Sequence, residues 1–166
     1  METEKLYKKI RRLLIFFSLA LVVSGITAIP VQWEMEQLIK MRFLVPSELM
    51  PWLYKVKEGI DYTSLNHSYL LYGFDWLAFA HIVIALFFIG PIKDPVKNIF
   101  IIETGMIACV LIFPLAFICG SMRGIPLFWT LIDCSFGVIG LIPLYLARKY
   151  TRQLEEKIST NTLSTI

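Results

Sequence analysis

Four ionisable side chains lie inside long apolar stretches, and these are the residues that could carry chemistry: Asp75, His81, Glu103 and Asp133. An ionisable group within a bilayer is costly, so by default it marks a functional site or a buried pair. An aspartate and a histidine in a dry site can act as general acid and base. His81 and Asp133 are therefore the candidate catalytic residues, and the non-catalytic interpretation is a hydrogen bond between two helices.

Helical geometry indicates where the partner of His81 must come from. Asp75 and His81 are six residues apart, which separates them by about 120° around an α-helix. The two side chains are therefore not expected to touch, and His81 needs a partner from another helix. At a rise of about 1.5 Å per residue, Asp133 lies at a depth between those of Asp75 and His81.

Four apolar stretches must position these residues, and each approaches the length needed to cross a hydrocarbon core of about 30 Å as a helix. They cover residues 13–29, 72–89, 99–119 and 127–147. The chain is 57% hydrophobic and 17% charged, against about 45–50% and about 25% for soluble domains. We predict an all-α, polytopic membrane four-helix bundle, with a single membrane domain at 1–149 and a cytoplasmic tail at 150–166 whose polar end, from Ser159 onward, is disordered.

Basic residues are distributed unevenly around these stretches. Eleven of the 16 Lys and Arg residues precede the first stretch, lie between the second and third, or follow the fourth. By the positive-inside rule these regions are cytoplasmic, which predicts a multi-pass protein of the cell inner (plasma) membrane with both termini in the cytoplasm. The length of the first stretch favours a retained helix over a cleaved signal peptide. Because the basic residues flank spans, no nucleic-acid partner is predicted.

The polar residues of the outer half are predicted to form one column. Arg123 lies in the short turn between the third and fourth stretches and can reach towards Asp75, Asp133 and His81. Glu103 lies near the cytoplasmic surface instead, where it would face Lys93, Lys97 or water. The candidate ligand-binding residues are Asp75, Trp76, Arg123 and Glu103.

The outer segment 30–71 carries two short runs with helical spacing of apolar residues, separated by Pro46 and Pro51. Gly59 is expected to end the second run. We predict two short amphipathic helices that lie on the outer leaflet as an interfacial anchor. The alternative is a lid over an outward-facing pocket.

The positions of the cysteine and histidine residues argue against a bound cofactor, and those of proline and glycine indicate how the helices pack. The three cysteines lie in the apolar stretches without a CxxC pair, so we interpret them as packing residues. His67 is too near the outer surface to share a haem with His81, and no cofactor or metal is predicted. Pro114 and Pro143 tend to kink their helices. Glycines in the third and fourth stretches should allow close helix contact; they are Gly105, Gly137 and Gly140.

Three short motifs carry a resemblance to a known family. They are GFDWLAFAHI at residues 73–82, GPIKDP at 90–95 and IDCSFG at 132–137. Together they resemble an uncharacterised family of small bacterial four-helix inner-membrane proteins, a resemblance that implies a fold and no activity. The layout is loosely similar to the sterol-isomerase and sigma-2-receptor superfamily, which encloses acidic or histidine residues in a central lipid pocket. That resemblance implies an acid–base pair, which in this chain would be His81 and Glu103. The estimated depths of these two residues in the membrane differ.

Three functional hypotheses remain open. The first is binding of a lipid or other amphiphile in an outer-half polar pocket, or a role as a subunit of a membrane assembly. The second is a small membrane enzyme of isomerase or hydrolase type that uses His81 with Asp133. The third is a proton-coupled carrier. The expected partners are the lipid bilayer, a lipid or amphiphilic ligand, and a membrane protein or a second copy of this chain.

Overall fold

Helices form almost the whole chain, and four of them are long and apolar enough to cross a membrane. The computed structural model describes residues 2–163, which are 90% helical and contain no strand. The four candidate spans are Glu2–Ala28, Ser68–Lys93, Ile99–Met122 and Leu127–Thr160. These helices fit a multi-pass integral membrane protein. They confirm the all-α prediction and are compatible with a four-helix bundle.

The described residues fall into two compact units. Unit 1 combines Met1–Leu19 with Leu86–Ile166, and unit 2 is Ala20–Ala85. Seven α-helices follow one another along the described chain: α1 Glu2–Ala28, α2 Val31–Lys40, α3 Met50–Asn66, α4 Tyr72–Phe87, α5 Ile89–Lys93, α6 Ile99–Met122 and α7 Leu127–Leu163.

The outer segment forms α2 and α3, as predicted, joined through two short 3₁₀ turns. Pro51 lies in the first turn of α3, where its missing N–H costs no helical hydrogen bond. Gly59 does not end α3, contrary to the prediction, and the helix continues to Asn66. A glycine weakens a helix interior by only about 1 kcal/mol relative to alanine, and α3 continues through it. Lys57 donates a hydrogen bond to the Asp61 carboxylate one turn away, which raises the pKa of Lys57.

Two side chains donate hydrogen bonds to backbone carbonyls in the connection from α4 to α6. The Tyr7 hydroxyl of α1 donates to the Lys93 carbonyl at the end of α5 (2.5 Å). The Asn98 side-chain amide donates to the Asp94 carbonyl (2.8 Å). These bonds tie the first part of α1 and the start of α6 to the same short segment of unit 1.

Close contact between α6 and α7 depends on glycine. A Cβ atom at Gly137 would lie 2.7 Å from the Cys109 carbonyl oxygen, and one at Gly140 would lie 3.1 Å from the Cys109 sulfur. At Gly105 a Cβ atom would lie 2.8 Å from the ring of Phe88. The predicted close contacts at these glycines are confirmed, and Cys109 is a buried packing residue with a free thiol.

A left-handed glycine ends α6 and lets the chain turn into α7. Gly124 has a φ of +67°, a conformation that costs glycine little. The Ile125 N–H donates to the Gly120 carbonyl (2.9 Å) and the Gly124 N–H to the Ser121 carbonyl (3.2 Å). This is the Schellman pattern of a helix C-terminus, and it places Arg123 at the C-cap, directly after the last residue of α6.

The fourth span is much longer than predicted. α7 runs without interruption from Leu127 to Leu163, 37 residues, or about 55 Å at 1.5 Å per residue. The expected disorder from Ser159 onward is wrong as far as Leu163, and residues 164–166 lie outside the described part of the chain. Polar contacts continue along this part of α7, since Arg152 pairs with Glu155 and Thr160 donates to the Glu156 carbonyl. Both α6 and α7 continue through their internal prolines.

Candidate functional site

The first two turns of α4 form a groove on one side of the helix. Tyr72, Asp75, Trp76 and Phe79 line an open cavity of about 310 Å³. Residues spaced i, i+3, i+4 and i+7 share one face of an α-helix, which is why the side chains converge. We call this feature the Asp75 groove.

Three aromatic rings form most of the groove. The Tyr72 and Trp76 ring centroids lie 6.0 Å apart with ring planes at 79°, and those of Trp76 and Phe79 lie 5.8 Å apart at 88°. Both pairs meet edge to face, so the rings are not stacked in parallel. All three rings are more than half exposed, which means that the groove is open and not part of a packed core.

Asp75 supplies the charge of the groove. Its carboxylate forms no hydrogen bond or ion pair with any described residue of unit 2. An unpaired carboxylate among aromatic rings is a site for a hydrogen-bond donor or a cation. Sequence reasoning selected Asp75 and Trp76 as ligand-binding residues and missed Tyr72 and Phe79, although their i, i+3, i+4, i+7 spacing was visible in the sequence.

His81 lies two turns further along α4. Its Nδ1 atom donates to the Leu77 carbonyl at 2.8 Å, so in the neutral ring Nε2 carries the lone pair. His81 does not line the Asp75 groove within unit 2, in agreement with the helical geometry. α1 passes close by, because a Cβ atom at Gly25 would lie 2.8 Å from the Ala78 carbonyl oxygen and 3.0 Å from the His81 Cβ. This contact was not visible in the sequence.

Asp133 and Arg123 belong to unit 1. Asp133 is half-buried on α7 and has no hydrogen-bond partner among the described residues of that unit. Arg123 is exposed at the end of α6 and forms no ion pair with a carboxylate of unit 1 in the described chain. The pair of His81 with Asp133, and the polar column as a whole, join residues of both units and stay predictions.

Glu103 has different partners from those predicted. Its Oε1 accepts from the Nε of Arg148 at 2.8 Å and from Nη2 of Arg152 at 3.4 Å. The ion-pair partners of Glu103 are therefore arginines and not the expected Lys93 or Lys97. Lys97 pairs with Asp94 instead, and the Glu103 side chain remains partly exposed, as the expected contact with water requires. Arg148 lies at the end of the predicted membrane domain and Arg152 in the predicted tail. The two arginines are four residues apart on α7, so they present their guanidinium groups on one face.

In the described range no group of three or more His, Cys, Asp or Glu residues is placed to hold a metal ion. The three cysteines are free thiols, with Cys109 and Cys134 buried and Cys119 exposed.

No protein-family model, curated protein or solved structure matches the chain. The family resemblance of the motifs at 73–82, 90–95 and 132–137 therefore stays a prediction. Within unit 2, the Asp75 groove brings a carboxylate and three aromatic rings together on one helix face.

Proposed function

We propose that this integral membrane protein binds a lipid or other amphiphile through the Asp75 groove. The observation that carries the proposal is the groove itself: three exposed rings and one unpaired carboxylate on a single face of a membrane-spanning helix. Ligand sites combine a mostly apolar lining with a few polar groups that fix orientation. The groove has that composition.

The size and position of the groove favour the polar end of an amphiphile. A volume of about 310 Å³ is at the lower limit of the roughly 300–1,000 Å³ of ligand sites, so it admits a headgroup and the adjoining methylenes. From Tyr72 to Phe79 the lining covers about 10 Å along the helix. At the end of a span, this is the headgroup region and the upper acyl chains, where Tyr and Trp rings are enriched.

A role as a subunit of a membrane assembly is the closest alternative, since the same exposed face could pack against a helix of another protein. The unpaired carboxylate favours an amphiphile, because a polar group facing an apolar partner helix would lose its hydration without gaining a hydrogen bond. The enzyme and proton-carrier hypotheses require His81 to act with Asp133. In their support, the bond from Nδ1 to the Leu77 carbonyl leaves Nε2 as the basic nitrogen.

Native mass spectrometry of the purified protein tests the proposal. We expect the wild-type protein to retain bound lipid, and Trp76→Leu to reduce the bound fraction about threefold or more, since an aromatic contact contributes about 0.5–1.5 kcal/mol beyond its buried area. Trp33→Leu is the matched control, because Trp33 is also exposed (61%, against 56% for Trp76) but lies on α2 outside the groove.

Two results would contradict lipid binding at this site. One is equal lipid retention by Trp76→Leu and Trp33→Leu. The other is a wild-type spectrum without lipid but with a stoichiometric protein partner, which would redirect the function to a subunit role. If His81→Gln loses the bound lipid and Trp76→Leu keeps it, the lipid binds at His81 and not in the groove.

A further inference from the structure

We propose that the Asp75 groove selects the ammonium headgroup of a bilayer phospholipid. This inference rests on the proposed function and adds the chemical class of the ligand. The occupant is a zwitterionic lipid with a primary or quaternary ammonium group, of which phosphatidylethanolamine and phosphatidylcholine are the available probes.

The sign of the charge in the groove is the first argument. Asp75 is the one carboxylate side chain among the four lining residues. It has no cation partner among the described residues of unit 2, and the described lining residues include neither Lys nor Arg. A cationic group would therefore be attracted and an anionic headgroup repelled, and the attraction is stronger near hydrocarbon than in bulk water.

The rings supply the second argument, which is independent of charge pairing. A cation within about 6 Å of an aromatic centroid is attracted to the ring face, most strongly to Trp, and ammonium ligands are held between several rings for this reason. Trp76 lies between Tyr72 and Phe79, with centroid separations of 6.0 and 5.8 Å. An ammonium group at the exposed face of Trp76 would therefore have two further rings beside Trp76.

The outer end of the groove also suits the phosphate next to the ammonium group. Tyr72 is the first residue of α4, and its hydroxyl makes no hydrogen bond within the described part of unit 2. A phenol hydroxyl donates to a phosphate oxygen without adding charge. The apolar floor at Phe79 then faces the acyl chains.

Competition between lipids of matched acyl chains tests the selection. The purified protein is mixed with equimolar phosphatidylethanolamine and phosphatidylglycerol in detergent, and the bound lipids are counted by native mass spectrometry. We expect the wild-type protein to prefer phosphatidylethanolamine about fivefold or more, from the ion pair and the cation–ring contact together. Phosphatidylcholine should compete with similar strength.

The variants locate the selection in the groove. Asp75→Asn should reduce the preference to about twofold, the part that the rings supply. Lipid should remain bound, because the rings are intact. Asp61→Asn, an acid of unit 2 that is paired with Lys57 on α3, should leave it unchanged. Trp76→Phe should weaken the preference by about twofold, since Trp is the stronger cation-binding ring.

The outcomes separate the two proposals. Lipid binding without a preference, or with a preference for phosphatidylglycerol, overturns the headgroup inference and leaves lipid binding in place. Absence of any bound lipid in the wild-type protein overturns the proposed function itself. The wild-type competition needs no variant, so the inference can fail even if Asp75→Asn does not fold.

Discussion

Among the glycines of unit 2, Gly25 has the least room for a side chain. Its Cα faces the Ala78 carbonyl and the Cβ of His81, both within 3.0 Å of where a Gly25 Cβ would lie. One of these atoms belongs to the backbone and cannot move as a side chain does. The position of α1 beside His81 therefore depends on the absence of a side chain at residue 25.

Gly25→Ala should lower the thermal stability of the protein in detergent. Forcing extra atoms into a packed contact costs about 1–3 kcal/mol, and the better helix propensity of alanine returns about 1 kcal/mol of that. We expect a net loss of about 1 kcal/mol, measured as a lower melting temperature by intrinsic fluorescence.

Gly59→Ala is the control for that experiment. Gly59 is also a helical glycine of unit 2, but a Cβ there would meet no atom within 4 Å. This substitution should raise stability by about 0.5–1 kcal/mol, because alanine loses less backbone entropy in a helix. If the two substitutions shift the melting temperature in the same direction, the close contact at Gly25 does not hold α1 in place.

Part of the candidate site was predictable from residue types alone. Asp75 and Trp76 stood out because an acid and a ring at a membrane interface are informative without a structure. Tyr72 and Phe79 were detectable by their spacing on α4. The contact at Gly25 was not, because one glycine in an apolar run does not indicate which backbone lies against it.

Glu103 joins α6 to α7 through its ion pairs with two arginines. It bonds to Arg148 at 2.8 Å and to Arg152 at 3.4 Å, and the three side chains are between one third and one half exposed. The bridge is therefore partly screened by solvent. It lies in the region where the sequence predicts the cytoplasmic side of the membrane.

Glu103→Gln should destabilise the contact between α6 and α7. The variant removes the charge that both arginines share, and we expect a loss of about 1 kcal/mol, the upper part of the range for exposed pairs. The melting temperature in detergent at low ionic strength is the measurement. The loss should shrink in about 1 M salt, where the screening length falls to about 3 Å.

Glu155→Gln provides the matched comparison. It also removes an acid bonded to Arg152, at 3.1 Å, but within α7. A pair three residues apart on one exposed helix contributes about 0.5 kcal/mol or less. A loss for Glu155→Gln as large as that for Glu103→Gln, or a Glu103→Gln effect that salt does not change, would show that the bridge between helices is not what stabilises this end.

The sequence located the helices better than their ends. Hydropathy marks where apolar residues stop, and it placed the spans at 72–89 and 99–119 close to α4 and α6. It could not show that α7 continues through polar residues, because those residues are stabilised by pairs such as Lys157 with Glu2 (2.6 Å) that need the packed structure. For the same reason the partners of Glu103 were assigned to a nearby turn.

The uneven distribution of Lys and Arg residues along the chain predicts the orientation of the four spans in the membrane. The side with most of the basic residues is predicted to carry both termini, and the segment from α2 to α3 is predicted to lie on the other side. Cysteine labelling in whole cells tests this topology. In a Cys119→Ser background, with the buried Cys109 and Cys134 retained, Ser47→Cys should react with a membrane-impermeant maleimide from outside.

The reciprocal position completes the topology experiment. Ser159→Cys, at an exposed site on α7, should react only after the cells are permeabilised. Labelling of Ser159→Cys in intact cells together with protection of Ser47→Cys would reverse the orientation. It would also move the Asp75 groove to the cytoplasmic leaflet.

The uninterrupted length of α7 has a practical consequence for imaging. About 55 Å of helix exceeds a hydrocarbon core of about 30 Å, so part of α7 projects beyond the bilayer. A rigid helical protein fused after Lys157 as a continuation of α7 would point along the axis of α7. Each residue inserted at the junction would rotate the fused protein about that axis by about 100°. The end of α7 is therefore a suitable fusion site for a fiducial protein in electron cryo-microscopy.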